Sequence, residues 1–363
     1  MKKRNLYLNL AFLRFFMIRN KAILKFLLLF FVYCYSVAIV KGSTADTTGV
    51  HELTIFVIKS SSPLNWESPS LLYRTSLESY TKSLFSKNAY SIGHLFIELS
   101  TPLLDSVVLT SIRSTSGAEK RRLVLKEKIG LGMLGAVLHG RMETRAELTR
   151  KMDHFSKKKN GIRFIKYRIC EESAKRIIEF LERFTKKFDG RNKPCDFYGG
   201  AFWSRFENEG GGCTSFGMSA MEVAGLSHDY PEWRVSVNIP INLIGGEYNN
   251  GHRVKRSAIL RANSWYNGNG QENVDFIPIT VYDPSLIFDW IDRQRITNCN
   301  TTEKIYDKST DNRILSAFTP VLKNGIPGLY IDLRKIIVPS EEPVFKQRKQ
   351  PSVFINTFRN KML

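Results

Sequence analysis

The stretch Glu209–Leu226, EGGGCTSFGMSAMEVAGL, decides how this chain is read. Three glycines run into Cys213, and small and apolar residues follow. Gly210, Gly211 and Gly212 allow backbone approaches that a side chain forbids. Thr214 and Ser215 suit a first helical turn, and Gly225 suits its end. Phe216, Ala220, Val223 and Ala224 share one face at helical spacing, and Cys213, Gly217, Ala220 and Ala224 form a ridge of small residues. A glycine inside a helix costs about 1 kcal/mol against alanine. Gly217 is therefore expected where the helix presses on a sheet. A cysteine at the helix start feels the dipole, which favours thiolate, and the N–H groups there can stabilise an oxyanion. The competing reading of Cys213 is a small buried hydrophobe.

A nucleophile needs a base. Among six histidines, His94 in SIGHLFIEL stands out. On a strand, Ile92, His94, Phe96 and Glu98 share one face and Leu95, Ile97 and Leu99 the other. An imidazole on an apolar strand is costly unless it is paired; the competing reading is a hydrogen-bonded core histidine. Glu98 shares the face of His94, but four strand residues span about 13 Å, too far to orient the ring. If a hairpin turns near Pro102, Ser111 or Thr110 lies opposite His94 and is the candidate orienting group. His139 is an alternative base, and His252 lies in NNGHRVKRS, which has no apolar strand pattern around it.

FYGGAFWSRFENEGGGCTSFGMSAMEVAGL, Phe197–Leu226, resembles the nucleophile segment of the NlpC-type cell-wall peptidases, which have a papain-like fold. Tyr198, Gly199, Gly200, Gly211, Cys213, Thr214, Phe216, Ala224 and Gly225 match that pattern, with Thr214 in place of the usual serine. In the standard order the histidine strand follows the cysteine; here GHLFIEL precedes it. That order resembles the circularly permuted branch, which includes lecithin-retinol-acyltransferase-like proteins. The resemblance covers about Glu52 to Pro231. It implies an α+β fold, with a permuted papain-like core whose antiparallel sheet packs on the cysteine helix. It also implies thiol acyl transfer by Cys213 with His94 as base, and Tyr198 and Gly212 lining the substrate.

Residues 1–42 read as a signal peptide: a basic start, then the apolar run FLLLFFVYCYSVAIV from Phe26 to Val40, short for a membrane span. An uncleaved membrane anchor is the alternative. Tyr33 before Cys34 argues against a lipoprotein signal. The chain carries 54 basic and 34 acidic residues. Removing the eight basic residues of 1–42, a segment without acids, leaves 46 basic against 34 acidic, a net +12. An exported, periplasmic or secreted protein of that charge is drawn to cell-wall peptide, anionic envelope polymer or lipid, with contact at a membrane surface among the options. The bland alternative is a solvated basic surface. No nucleic-acid motif appears.

The remaining organisation reads as a linker at 43–51, a papain-like domain at 52–235, a β-rich extension at 236–340 and a loose basic tail at 341–363. Strands are expected at Glu52–Ser60, Tyr90–Ser100, Asp105–Ser114 and Phe164–Ile169, with a fifth, fourth in chain order, at RRLVLKEK. Helices are expected around Ser70–Ser83 and over Glu171–Phe188, the latter with Ile177, Ile178, Phe180, Leu181 and Phe184 as its apolar stripe. GLGMLG, Gly130–Gly135, matches a dinucleotide fingerprint, but a poor helix follows it, so a glycine-rich loop beside the site is preferred. Asp289 and Asp292 in YDPSLIFDWIDR sit too close to work as a glycosidase pair and read as a solvated helix face. SKKKN reads as a surface loop. Asn300-Thr301-Thr302 would accept a glycan only in a eukaryotic secretory route. Cys170, Cys195 and Cys299 could pair in an oxidising compartment, and the spacings fit no zinc pattern. No cofactor or metal is expected. Two further functions share these residues: a lipid acyl hydrolase or acyltransferase using the same dyad, and a non-catalytic envelope binding protein.

Overall fold

The computed structural model describes residues 49–85, 90–115, 117–158, 161–226, 230–300, 317–348 and 356–357, with side chains to 297 in the fifth of these segments. The signal-peptide reading, the linker up to Thr48, Lys159 and Asn160 of the SKKKN loop, the glycan-acceptor side chain, Cys34 and the side chain of Cys299 lie outside the described residues.

The first strand shows how sequence sets the architecture. In β1 (His51–Ile58) every residue from Leu53 to Ile58 is buried. A strand buried on both faces must lie inside a sheet covered on both sides. Its neighbours are β2 (His94–Ser100) and β6 (Arg163–Ile169), both antiparallel. β3 (Val108–Thr110) adds to β2, while β4 (Ile112–Ser114) pairs instead with β5 (Leu138–Met142), which also pairs with β7 (Phe197–Tyr198). β8 (Arg234–Pro240) and β9 (Phe276–Tyr282) form a separate antiparallel pair. β10 (Thr319–Lys323) and β11 (Ile326–Asp332) complete the main sheet, in the order β10-β11-β6-β1-β2-β3. Only β6 and β11 run parallel in it.

The helices are α1 (Pro69–Leu84), α2 (Gly117–Arg121), α3 (Arg145–Ser156), α4 (Glu171–Thr185), α5 (Cys213–Val223), α6 (Arg256–Arg261) and α7 (Pro284–Asn300). This is an α+β fold of antiparallel and mixed sheets. One face of the main sheet, carrying Leu53, Ile55, Leu95, Ile97 and Ile165, packs against Ile177 and Phe180 of α4, Phe216 and Ala220 of α5, and Phe288 and Trp290 of α7. The other face, with Phe56, Phe96 and Phe164, packs on Leu148 and Phe155 of α3. The alternation expected around His94 therefore holds.

Several expectations need correction. The strand expected over Asp105–Ser114 is broken at Ser111, where the chain leaves one sheet for another. RRLVLKEK is not a strand: Arg122–Glu127 is a π-helical turn closed by Lys128 in a left-handed conformation. Only Leu123 of it is buried, so it has no apolar face to give a sheet. Residues 236–340 are not a separate extension, because β11 pairs with β6 and Leu329 and Ile331 enter the main core. Gly49 to Leu363 forms one compact unit. The start of the tail is not loose: Val344 and Phe345 are buried, and Arg348 pairs with Glu209 at 2.6 Å. α7 has a solvated face at Asp289, as expected, but its other face enters the core. It buries Ile287, Phe288, Trp290 and Ile291, leaves Asp289 exposed, and pairs Asp292 with Arg163 at 2.5 Å. No helix among the described residues is long and apolar enough to cross a membrane.

Candidate active site

Two close approaches bring the cysteine helix to the histidine strand. Gly217 of α5 lies so near β2 that a Cβ there would meet Leu95 Cδ2 at 2.1 Å. Gly93 has φ of +76°, and a Cβ there would sit 2.9 Å from the Ile58 carbonyl and 2.8 Å from Pro284. The first glycine lets the helix press on the sheet; the second turns the chain into β2 so that His94 is its first residue. The glycine-led loop is tied to β7 by the Gly211 N–H donating to the Phe197 carbonyl at 3.1 Å. Gly212 is the N-cap of α5, and its N–H donates to Ser215 Oγ at 2.8 Å.

The Cys213 thiol, the His94 imidazole and the Leu95 amide are close enough to shift one another's ionisation. The His94 Nε2 lies 2.5 Å from Glu143 Oε2, with both side chains buried. With Nε2 taken by the carboxylate, Nδ1 is the ring nitrogen left for the thiol. Glu143 directly follows β5 and precedes a capping box in which Thr144 and Glu147 open α3. Its other oxygen meets Lys151 Nζ of α3, and Arg113 of β4 stands 3.9 Å away. Tyr90 stacks on the imidazole, ring centroids 4.4 Å apart and planes 11° apart. Lys151 Nζ lies 4.9 Å from the centroid of the Tyr90 ring. The imidazole is thus fixed in plane by a carboxylate and out of plane by a ring.

The electrostatics follow from this packing. Burial opposes a thiolate at Cys213, but the His94 charge and the Leu95 amide outweigh burial and hold the thiol down at about 7. Burial likewise opposes an imidazolium at His94, yet the sulfur and Glu143 together raise it to about 9. Glu143 is held at about 2: burial would raise it, and His94 and Lys151 overcome that. The thiol lies below the imidazole, so the pair passes to thiolate and imidazolium as pH rises through about 7.

Of the residues singled out in the sequence, Cys213, His94, Tyr198 and Gly212 come together, with the buried Tyr198 hydroxyl raised by burial and by the nearby Cys213 sulfur. Ser111 and Thr110 do not orient the imidazole. Thr110 lies opposite Ile97, not His94. Ser111 Oγ donates to the Leu95 carbonyl at 2.6 Å, and Thr110 Oγ1 to the Glu143 carbonyl at 3.2 Å. The Ser111 carbonyl also accepts from the Glu143 N–H at 2.7 Å. They hold the backbone of Glu143, the carboxylate that does reach the imidazole. Glu98 is ion-paired with Lys323, and His139 is exposed and paired with Glu119 at 3.0 Å. His252 is exposed. GLGMLG is a short turn of 3-10 helix, Leu131–Leu134, and not a strand-to-helix phosphate loop.

Glu143 escaped the sequence reading because its distance from His94 is set by the break at Ser111, which no local pattern announces. The one signal present was the acid immediately before the Thr144–Glu147 capping box. Cys170 and Cys195 are free thiols. Among the described residues no group of three or more His, Cys, Asp or Glu side chains is placed to hold a metal ion. No family model, no curated protein and no solved structure matches this chain.

Proposed function

We propose that this protein is a cysteine hydrolase acting by thiol acyl transfer on an amide, with Cys213 as nucleophile, His94 as acid and base, and Glu143 as the positioning residue. The observation that carries this reading is the buried chain Cys213–His94–Glu143, assembled at a helix start from three separate elements. The thiolate attacks the amide carbon, and the carbonyl becomes an oxyanion beside the first N–H groups of α5 and the Tyr198 hydroxyl. The His94 imidazolium gives its proton to the leaving nitrogen as the C–N bond breaks, leaving a thioester. His94 then takes a proton from water; the resulting hydroxide attacks, the C–S bond breaks, and acid and thiolate are released.

The α+β core, with its histidine strand ahead of its cysteine helix, supports a permuted papain-like arrangement. We place the substrate in cell-wall peptide and the protein in the exported compartment. Purified muropeptides incubated with the wild type and with Cys213→Ala test this. New amine ends that depend on Cys213 support the peptidase. Fatty acid released from phospholipid vesicles instead would move the assignment to a lipid acyl hydrolase, and turnover of neither would contradict both.

A further inference from the structure

Beyond the Cys213–His94–Glu143 chain, three cations crowd the site. Lys151 and Arg113 flank Glu143. Lys120, on the short helix α2, places its Nζ 5.7 Å from the Tyr198 ring centroid, and both Lys120 and Tyr198 feel the Cys213 sulfur. Glu143 is already shared by His94 and Lys151, and at Lys120 the attraction comes from Cys213 and, more weakly, Glu119. Lys120 takes part in no ion pair among the described residues, and Glu119, its neighbour in the chain, is engaged with His139. With thiolate and imidazolium formed, His94, Lys120, Arg113 and Lys151 set four positive charges against three negative ones, Cys213, Glu143 and Glu119, the last also paired with His139. A half-buried ammonium with no direct ion-pair partner among the described residues, beside a nucleophile, leaves room for an anion.

We infer that Lys120 and Arg113 form an anion-recognition element, so that the acyl substrate carries a free carboxylate close to the scissile carbonyl, as an acidic peptide does. This rests on the cysteine-hydrolase reading and names its substrate class. Burial lowers the Lys120 ammonium's pKa and the Cys213 thiolate works against that; a substrate carboxylate would add to the same stabilisation. Arg113 is less enclosed, with its side chain 44% exposed, and so can turn toward a ligand while staying near Glu143. Lysine supplies a point charge and arginine a planar fork, and a carboxylate can use both.

The test needs no knowledge of the natural substrate. Iodoacetate and iodoacetamide react alike, the thiolate displacing iodide to form a C–S bond, but only iodoacetate carries a carboxylate on the attacked carbon. The rate ratio, iodoacetate over iodoacetamide, is measured at Cys213 by mass spectrometry on the full chain, with Cys170 as internal reference. The ratio at Cys213 is expected to exceed that at Cys170. In Lys120→Met it should fall by about fivefold, the effect of losing one charge at this range behind partial screening. Arg113→Gln should lower it less, and Lys120→Arg should keep it. A ratio equal to that of Cys170 and indifferent to Lys120→Met overturns the anion site while leaving the hydrolase reading in place. If iodoacetamide alkylation of Cys213 shows no dependence on His94, the hydrolase reading fails, and this inference falls with it.

Discussion

Glu143 Oε2 and His94 Nε2 lie 2.5 Å apart in a site where neither side chain is open to solvent. Removing a carboxylate that fixes a catalytic imidazole costs rate through orientation and through lost support for the imidazolium. Glu143→Gln should therefore lower kcat/KM by about a hundredfold or more, with the far-ultraviolet spectrum unchanged. It should also move the Cys213 thiol upward, because a less cationic His94 stabilises thiolate less. Steady-state kinetics beside a thiol titration checks both halves. A fall in rate with an unmoved thiol would confine Glu143 to a structural role.

The pH profile follows from the signs at the pair. Thiolate appears as pH rises through about 7. The imidazolium needed for the leaving group is lost as pH rises through about 9. kcat/KM should then be bell-shaped between these limits, the two limbs belonging to the pair as a unit. A single ascending limb with no fall near 9 would show that His94 does not act as the acid.

Gly217→Ala sets two effects against each other. Alanine gains about 1 kcal/mol of helix propensity, but its Cβ would overlap Leu95 Cδ2, at 2.1 Å. Overpacking of this kind costs about 1–3 kcal/mol, and here it meets a buried strand. A net loss of stability is expected in urea denaturation, with partial recovery when Leu95→Ala is added. A stabilised Gly217→Ala would mean that helix and sheet are not in close contact.

The C-terminal strap gives a separate prediction. Glu209 is 5% exposed and is paired with Arg348, whose guanidinium lies 4.0 Å over the Phe206 ring. Arg348→Met strands a buried carboxylate that retains only the Trp203 N–H at 3.0 Å. A loss of about 1–3 kcal/mol is expected, kept modest because Arg348 itself is partly solvated. Glu209→Gln should cost less than Arg348→Met, since it leaves no charge behind. Chemical denaturation of the two variants distinguishes them.

These residues also show what the sequence can and cannot disclose. The cysteine helix was legible because a buried helix pressed on a sheet needs small residues at fixed spacing, and Gly217, Ala220 and Ala224 supply them. The His94 strand was legible from its alternation. The partner of His94 was not. Glu143 reaches it only because Ser111 ends one strand pairing and begins another, a long-range event without a local signature. Lys120 and Tyr90 were missed for the same reason: charge and aromaticity are common, and only the fold makes them converge. The C-terminal strands looked like an appendage because pairing partners such as β6 and β11 lie far apart in the chain. The tail looked loose because its lysines and arginines outnumber its acids, whereas its anchors are Val344, Phe345 and a buried acid elsewhere.

The most direct test of the central claim is the rate of Cys213 alkylation by iodoacetamide as a function of pH, in the wild type and in His94→Ala. The account predicts a wild-type transition near 7, moving up toward the ordinary thiol value of about 8.5 when the imidazole is removed. A wild-type transition already near that ordinary value, and the same in His94→Ala, would contradict it.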